Sequence, residues 1–302
     1  MTLTAAHAFR FTLAAAAGVA TLSQTARAES GTLDKIRASG TITLGYRESS
    51  VPFSYLDGEQ KPIGFSIELC KAVADQVKAV LKLDKLTVAY APVNASNRIP
   101  LLQNGAIDIE CGSTTISVER LKQVAFSVTT FVSQPRWLVT AASGITDTKG
   151  LAGKTIVMTQ GSLSLPIGEK INADQKLGFS VAQAKDHGES LLMLRTGRAA
   201  GWFEEDILLA GLKAVSPTPD GFRYLPELYG TFYRDGLMLR KDDADFKAVV
   251  DGVIQARMAS GEFAKLYATW FTAPVPPSGQ NLALPMSDAL KALVAAPSDD
   301  PA

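Results

Sequence analysis

The sequence predicts an α/β protein built as two lobes, and three observations carry that prediction. Strand-like runs alternate with helical runs along most of the chain, the pattern that produces parallel sheets flanked by helices. The chain has 302 residues, more than one hydrophobic core usually serves, so two cores are expected. Its composition, 46% hydrophobic and 20% charged, suits packed globular lobes and not a disordered chain.

The first 28 residues stand apart as an export signal. Arg10 precedes an apolar run over 11–22, and Ala26-Arg27-Ala28 forms a small-x-small cleavage site. A membrane anchor would need about 20 apolar residues, and Ser23, Gln24, Thr25 and Arg27 interrupt the run too early. A soluble mature chain beginning at Glu29, secreted or periplasmic, is therefore expected. Losing Arg10 and Arg27 leaves 28 basic against 30 acidic residues, so no basic excess favours nucleic acid. Only Cys70 and Cys111 occur. An oxidising compartment permits a bridge between them, but a core-facing helix and a strand end leave a disulfide and two buried thiols equally open. His187 is the only histidine after the signal, and no CxxC or HExxH spacing exists, so neither a metal site nor a cofactor is expected.

The elements follow in order. A short helix over 33–38 leads into an alternating strand over 41–46 that ends at Arg47. Residues 47–57 lack periodicity and contain Pro52, which reads as a loop displaying Arg47, Ser49, Ser50, Phe53 and Tyr55, the two aromatics standing equally as pocket wall or core. Leu69, Val73, Val77, Val80 and Leu81 recur at helical spacing, and 86–90 is a short strand. Beyond residue 127, an extended stretch over 130–139 containing Pro135 is the expected first crossing between lobes. Strands at 154–158, 179–182 and 199–203 then alternate with helices, one of them capped by Asp186 and ended by Gly197. The return crossing is expected near 229–234, before a strand over 236–240. Phe246, Val249, Val250, Val253, Ile254 and Met258 share one helical face. A further amphipathic helix covers 262–271, an irregular strap follows at 274–281, and a last short helix spans 287–294.

The segment 94–127 concentrates the chemistry. Arg98 opens a helix ended by Gly105, a strand runs through Asp108 to Cys111, and Gly112-Ser113-Thr114-Thr115 leads to a second helix start where Ser117 can cap the turn carrying Arg120. Hydroxyls and free backbone N–H groups thus crowd between two guanidinium groups. A planar guanidinium grips a carboxylate with two parallel hydrogen bonds, and helix starts add positive dipole ends, so the segment asks for an anion. Residue by residue, capping hydroxyls and solvated arginines would be the plainer reading. Arg47, at the carboxyl end of its strand, points to the usual ligand crevice of α/β sheets. A second strand-to-helix junction lies at Thr159-Gln160-Gly161-Ser162.

Gly45 to Tyr55, NRIPLLQNG at 97–105, ECGSTT at 110–115, Val118-Glu119-Arg120, AKDHG at 184–188, LLAG at 208–211 and LRKDD at 239–243 together resemble the periplasmic glutamate/aspartate-binding proteins of bacterial ABC importers. The similarity spans nearly the whole chain after the signal. It implies the two-lobed type II periplasmic binding protein fold, with two hinge crossings and closure of the lobes on the ligand. The expected limits are 29–134 with 232–302 for lobe 1 and 135–231 for lobe 2. By the same resemblance Arg120 takes the ligand's α-carboxylate, with Ser113 and Thr115 beside it. Arg47, Arg98 and His187 take a side-chain carboxylate, and Ser162 and the backbone of Leu163 face them from the second lobe. The family's aspartate for the ammonium group is Glu205 here, which would shrink the pocket and favour aspartate over glutamate. Ala95 stands where the family has serine, with Ser96 as a substitute, and Leu163 where it has threonine. The family's second cysteine is Leu237, so that disulfide cannot form. A monomer delivering an acidic amino acid to a membrane permease is expected. The alternatives are a dehydratase-like enzyme on the same fold, with His187 or Glu205 as acid or base, and a receptor's sensing domain, for which no membrane segment or fused signalling domain is visible.

Overall fold

The strand-like runs resolve into two main sheets in the computed structural model, which describes Thr2 and residues 31–301. The export signal lies outside the described residues. The first sheet has the order Thr87–Pro92, Thr41–Tyr46, Ile109–Thr115, Tyr233–Arg240, Val124–Phe126, with Phe131–Ser133 also paired to Tyr233–Arg240. Its first three strands are parallel, with Leu44 opposite both Tyr90 and Ile109, and Tyr233–Arg240 runs antiparallel to its neighbours. The second sheet has the order Ser180–Ala184, Thr155–Thr159, Gly201–Glu205, Pro135–Thr140, Phe222–Leu228. Again the first three strands are parallel, and the remaining pairings are antiparallel. The chain passes from the first sheet to the second between Phe131–Ser133 and Pro135–Thr140, and returns between Phe222–Leu228 and Tyr233–Arg240.

The pattern of burial explains why these runs fold as they do. Every residue of Ile109–Thr115 is buried, as befits a central strand covered on both faces. Just before it, the buried Asp108 carboxylate accepts from Lys35 Nζ and from the Thr43 backbone N–H, each at 2.8 Å, pinning the strand's start. The helix Phe65–Val80 buries Leu69, Val73 and Val77 against this sheet, whereas Val80 is exposed. Gly105 and Gly197 adopt left-handed φ of +77° and +73° after their helices, as the terminal glycines predicted. The Ser117 and Asp186 side chains each accept a backbone N–H, from Arg120 and Glu189.

Three expectations need correction or completion. Residues 47–57 are not all loop: Ser49–Ser50, Ser54–Leu56 and Pro62–Ile63 form a small three-stranded sheet. Strands of two or three residues are too short to leave a readable alternation. Phe53 and Tyr55 belong to the core: Phe53 meets Phe131 edge-on at 5.0 Å, and Tyr55 O–H donates to the Pro276 carbonyl at 2.6 Å. The strap at 274–281 contains a paired hairpin, Pro274–Val275 with Gln280–Asn281. Cys70 and Cys111, both fully buried, are bonded to each other across the helix–sheet interface, and Leu237 fills apolar core.

Candidate functional site

The carboxyl ends of the strands in both sheets meet at one polar cavity of about 10 Å³, room for about one water molecule. All nine residues singled out in the sequence line it: Arg47, Arg98, Ser113, Thr115 and Arg120 from the first sheet's side, and Ser162, Leu163, His187 and Glu205 from the second's. Ala95, Glu204 and Leu208 complete the wall.

Arg47 follows its strand directly, and its backbone N–H is fixed by Ser54 Oγ at 2.8 Å. The residue is 2% exposed, and neither terminal guanidinium nitrogen has a hydrogen-bond partner among the described residues. Burial, and then repulsion from Arg98, lower its pKa to about 10. Arg98 is the first residue of the helix Arg98–Gln103 and donates to Thr114 Oγ1 at 2.5 Å. Thr114 passes the bond on to Glu110 Oε2 at 2.7 Å, and Glu110 Oε1 lies 3.9 Å from Arg98. Glu110 is thus the buried countercharge beneath this guanidinium pair, and Gly112 leaves it room, since a Cβ there would sit 2.0 Å from Glu110 Oε1.

Arg120 spans the two sides of the cavity. Its Nη1 donates to the Thr115 carbonyl at 2.8 Å and its Nη2 to the Gly161 carbonyl at 3.1 Å. Burial, and then Arg98, bring its pKa down to about 9. Glu205 holds both carboxylate oxygens against the first sheet's side, Oε1 accepting from Thr115 Oγ1 at 2.7 Å and Oε2 from Ser133 Oγ at 2.8 Å. Ser113 Oγ is buried without a partner among the described residues, and Ser113 lines the cavity.

His187 begins the helix His187–Arg195 and reaches the first sheet's side, with Nδ1 and Ser50 Oγ 3.0 Å apart. Burial and the positive charges of Arg47 and Arg98 push its pKa well below the ordinary value, so the ring is neutral. When Ser50 donates to Nδ1, the ring proton sits on Nε2, and Nε2 faces Glu204 Oε2 at 3.6 Å.

Sequence reasoning missed Glu204 as a cavity residue and Glu110 and Ser50 as their neighbours' partners. Strand alternation should turn Glu204 away from Glu205, but Gly201–Glu205 ends at the cavity, and both carboxylates are buried there. Ser96 does not replace the family's serine: it is exposed and donates to Asn94 Oδ1 at 2.8 Å. Asp206 instead serves its helix start, its Oδ1 accepting from the backbone of Gln134 and Ile207.

Residues 42–273 match the bacterial extracellular solute-binding proteins, family 3. The chain belongs to that family. This family 3 member is 48% identical over 272 residues to an L-glutamate/L-aspartate-binding protein of Pseudomonas aeruginosa, covering 89% of each chain. It is 43% identical over 289 residues to a glutamate/aspartate import solute-binding protein of Escherichia coli K12, covering 95% of each. Its fold is similar to that of a substrate-binding protein of an ABC uptake transporter from Streptococcus pneumoniae with bound histidine. There the TM-score is 0.70 at 20% identity, over 80% of this chain and 96% of the other. The two-lobed type II fold of family 3 is therefore the fold of this chain, and the chain is a solute-binding protein, not the enzyme that the fold alone left open.

Proposed function

We propose that the chain is the periplasmic receptor of an ABC importer for acidic amino acids, closing its two lobes, 31–134 with 232–301 and 135–231, around aspartate or glutamate. One observation carries this reading. Arg47 presents two buried, unpartnered guanidinium nitrogens to the same cavity as Arg98, a demand for a second carboxylate that a neutral amino acid cannot meet. Leaving such hydrogen-bond donors unmatched is costly in a buried site, and the relatives named for glutamate and aspartate support the same choice.

In this reading Arg120, Ser113 and Thr115 take the α-carboxylate, and Glu205 takes the ammonium group. Arg47, Arg98 and the Nε2–H of His187 take the side-chain carboxylate, and Ser162 with the Leu163 backbone closes the far wall. Glu205 is one methylene longer than the family's aspartate and reaches across to Thr115, so aspartate is expected to bind more tightly than glutamate. The signal is removed near Ala28, and the monomeric mature protein delivers its ligand to a membrane permease.

Calorimetry of ligand-free protein against aspartate, glutamate, asparagine, glutamine and simple dicarboxylates tests the proposal. Tight binding of a neutral amino acid with none of either acidic one would overturn it, and equal affinities for aspartate and glutamate would remove the role given to Glu205.

A further inference from the structure

The charges around the cavity balance before any ligand arrives. Arg47, Arg98 and Arg120 face Glu110, Glu204 and Glu205, all buried. A fourth carboxyl, Asp235, lies behind Glu205 in the strand Tyr233–Arg240, opposite Thr115. Burial and the neighbouring Glu205 push Asp235 well above the ordinary carboxylate range, which favours its neutral form. His187 is neutral as well. Three guanidinium groups therefore offset three carboxylates, and an acidic amino acid, with two carboxylates and one ammonium, adds one uncompensated negative charge. In a buried site that excess has no solvent to screen it.

The geometry identifies where the excess is neutralised. Both oxygens of Glu205 accept hydrogen bonds, and Glu110, whose Oε1 also lacks a hydrogen-bond partner among the described residues, holds that oxygen 3.9 Å from the Arg98 guanidinium. Glu204 differs. Its Oε1 accepts from Ser162 Oγ, Ser164 Oγ and the Glu205 backbone N–H, whereas its Oε2 is fully buried, unpartnered, and faces His187 Nε2. The other groups around it are Arg47 from the first sheet's side, Glu205 beside it and the Tyr233 phenol beyond.

We propose that the His187–Glu204 pair takes up one proton with each acidic amino acid bound, so that Glu204 meets the ligand as a neutral hydrogen-bond donor and not as a carboxylate. Glu204 is then a specificity-determining residue. As an acid it donates to a ligand carboxylate; as a carboxylate it repels one. Burial, and then repulsion from Glu205, hold its carboxyl at about 7 in the free protein, where physiological pH can protonate it. The proposal rests on the acidic-ligand reading above.

Calorimetric titration of glutamate into wild-type protein, in two buffers of different ionisation enthalpy, counts the protons. Close to one proton per ligand is expected at about pH 8 and few at about pH 6, with Kd rising towards tenfold per pH unit above neutrality. In Glu204→Gln, which donates without titrating, both the proton uptake and the pH dependence should disappear. Tight glutamate binding by the wild type with no proton exchange at about pH 8 would overturn the proposal, as would undiminished uptake in Glu204→Gln. The wild-type count decides by itself if that variant fails to fold. Failure of the wild type to bind glutamate or aspartate at any pH is a different result, which would remove the ligand reading and this proposal with it.

Discussion

Replacing Gly211 by alanine should raise the stability of the free protein while weakening its hold on ligand. Gly211 lies inside the helix Asp206–Val215, in the LLAG run on the second sheet's side. In a helix interior, glycine to alanine is favourable by about 1 kcal/mol. Across the cleft, however, an added Cβ would stand 2.1 Å from the Val51 carbonyl oxygen and 2.6 Å from its carbon. Ordinary contact begins at 3.4 Å, so the helix or the Val51 loop must withdraw by about 1.3 Å. That loop also carries Ser49, which accepts from the Gly188 N–H at 3.1 Å, and Ser50, the partner of His187. Withdrawal therefore loosens the ligand site too. Overpacking of this kind costs about 1–3 kcal/mol, which corresponds to a Kd raised about 5- to 150-fold. Thermal unfolding without ligand and calorimetry with aspartate read the two effects separately. An unchanged Kd with a lowered ligand-free Tm would show that Gly211 and Val51 stay packed when the cleft opens and would refute the reasoning.

The remaining predictions follow from the same geometry. Arg120→Ala should abolish detectable binding of any amino acid, because it removes the proposed α-carboxylate partner and the bond to Gly161 together, whereas Arg98→Ala should mainly erode the preference for acidic ligands; equal loss of all ligands in both would refute that division. Removing the Cys70–Cys111 bond, whose sequence separation is 41, should cost about 4 kcal/mol by loop-closure entropy, read as a lower urea midpoint in Cys70→Ala/Cys111→Ala. Glu204 titrates at about 7 in the folded protein against an ordinary 4.5. Its folded state therefore binds the proton more tightly, and the associated stability is present below pH 4.5 and lost as pH rises to about 7. Glu204→Gln should then stabilise the ligand-free protein by about 3 kcal/mol at pH 8, with little change in acid, measured by urea unfolding at both pH values.

Much of this was legible in the chain because it depends on local rules. Helix starts and stops at Ser117, Asp186, Gly105 and Gly197 follow from short-range backbone sterics and hydrogen bonding, and each occurs where its residue type placed it. Arg98 and Arg120 could be proposed as anion ligands only because hydroxyls and helix starts surround them; taken singly, an arginine in a first turn reads as solvated. Phe53 and Tyr55 remained ambiguous, since an aromatic side chain serves equally as a pocket wall or as core. Val80 shared a helical spacing with buried neighbours and yet is exposed, because periodicity fixes a face of the helix but not where its cover ends.

By itself the sequence determined the α/β alternation, the two changes of direction between sheets and the cationic residues that an acidic ligand requires, all of which follow from periodicity, turn chemistry and charge within short windows. Only the tertiary structure decided that Cys70 meets Cys111, that Glu110 and Asp235 lie behind the ligand groups, and that Glu204 turns its free oxygen towards His187. These are meetings between residues far apart in the chain. Their consequence, a cavity whose charges balance only until an acidic ligand enters, comes from burial and distance, and no local pattern of residues encodes either.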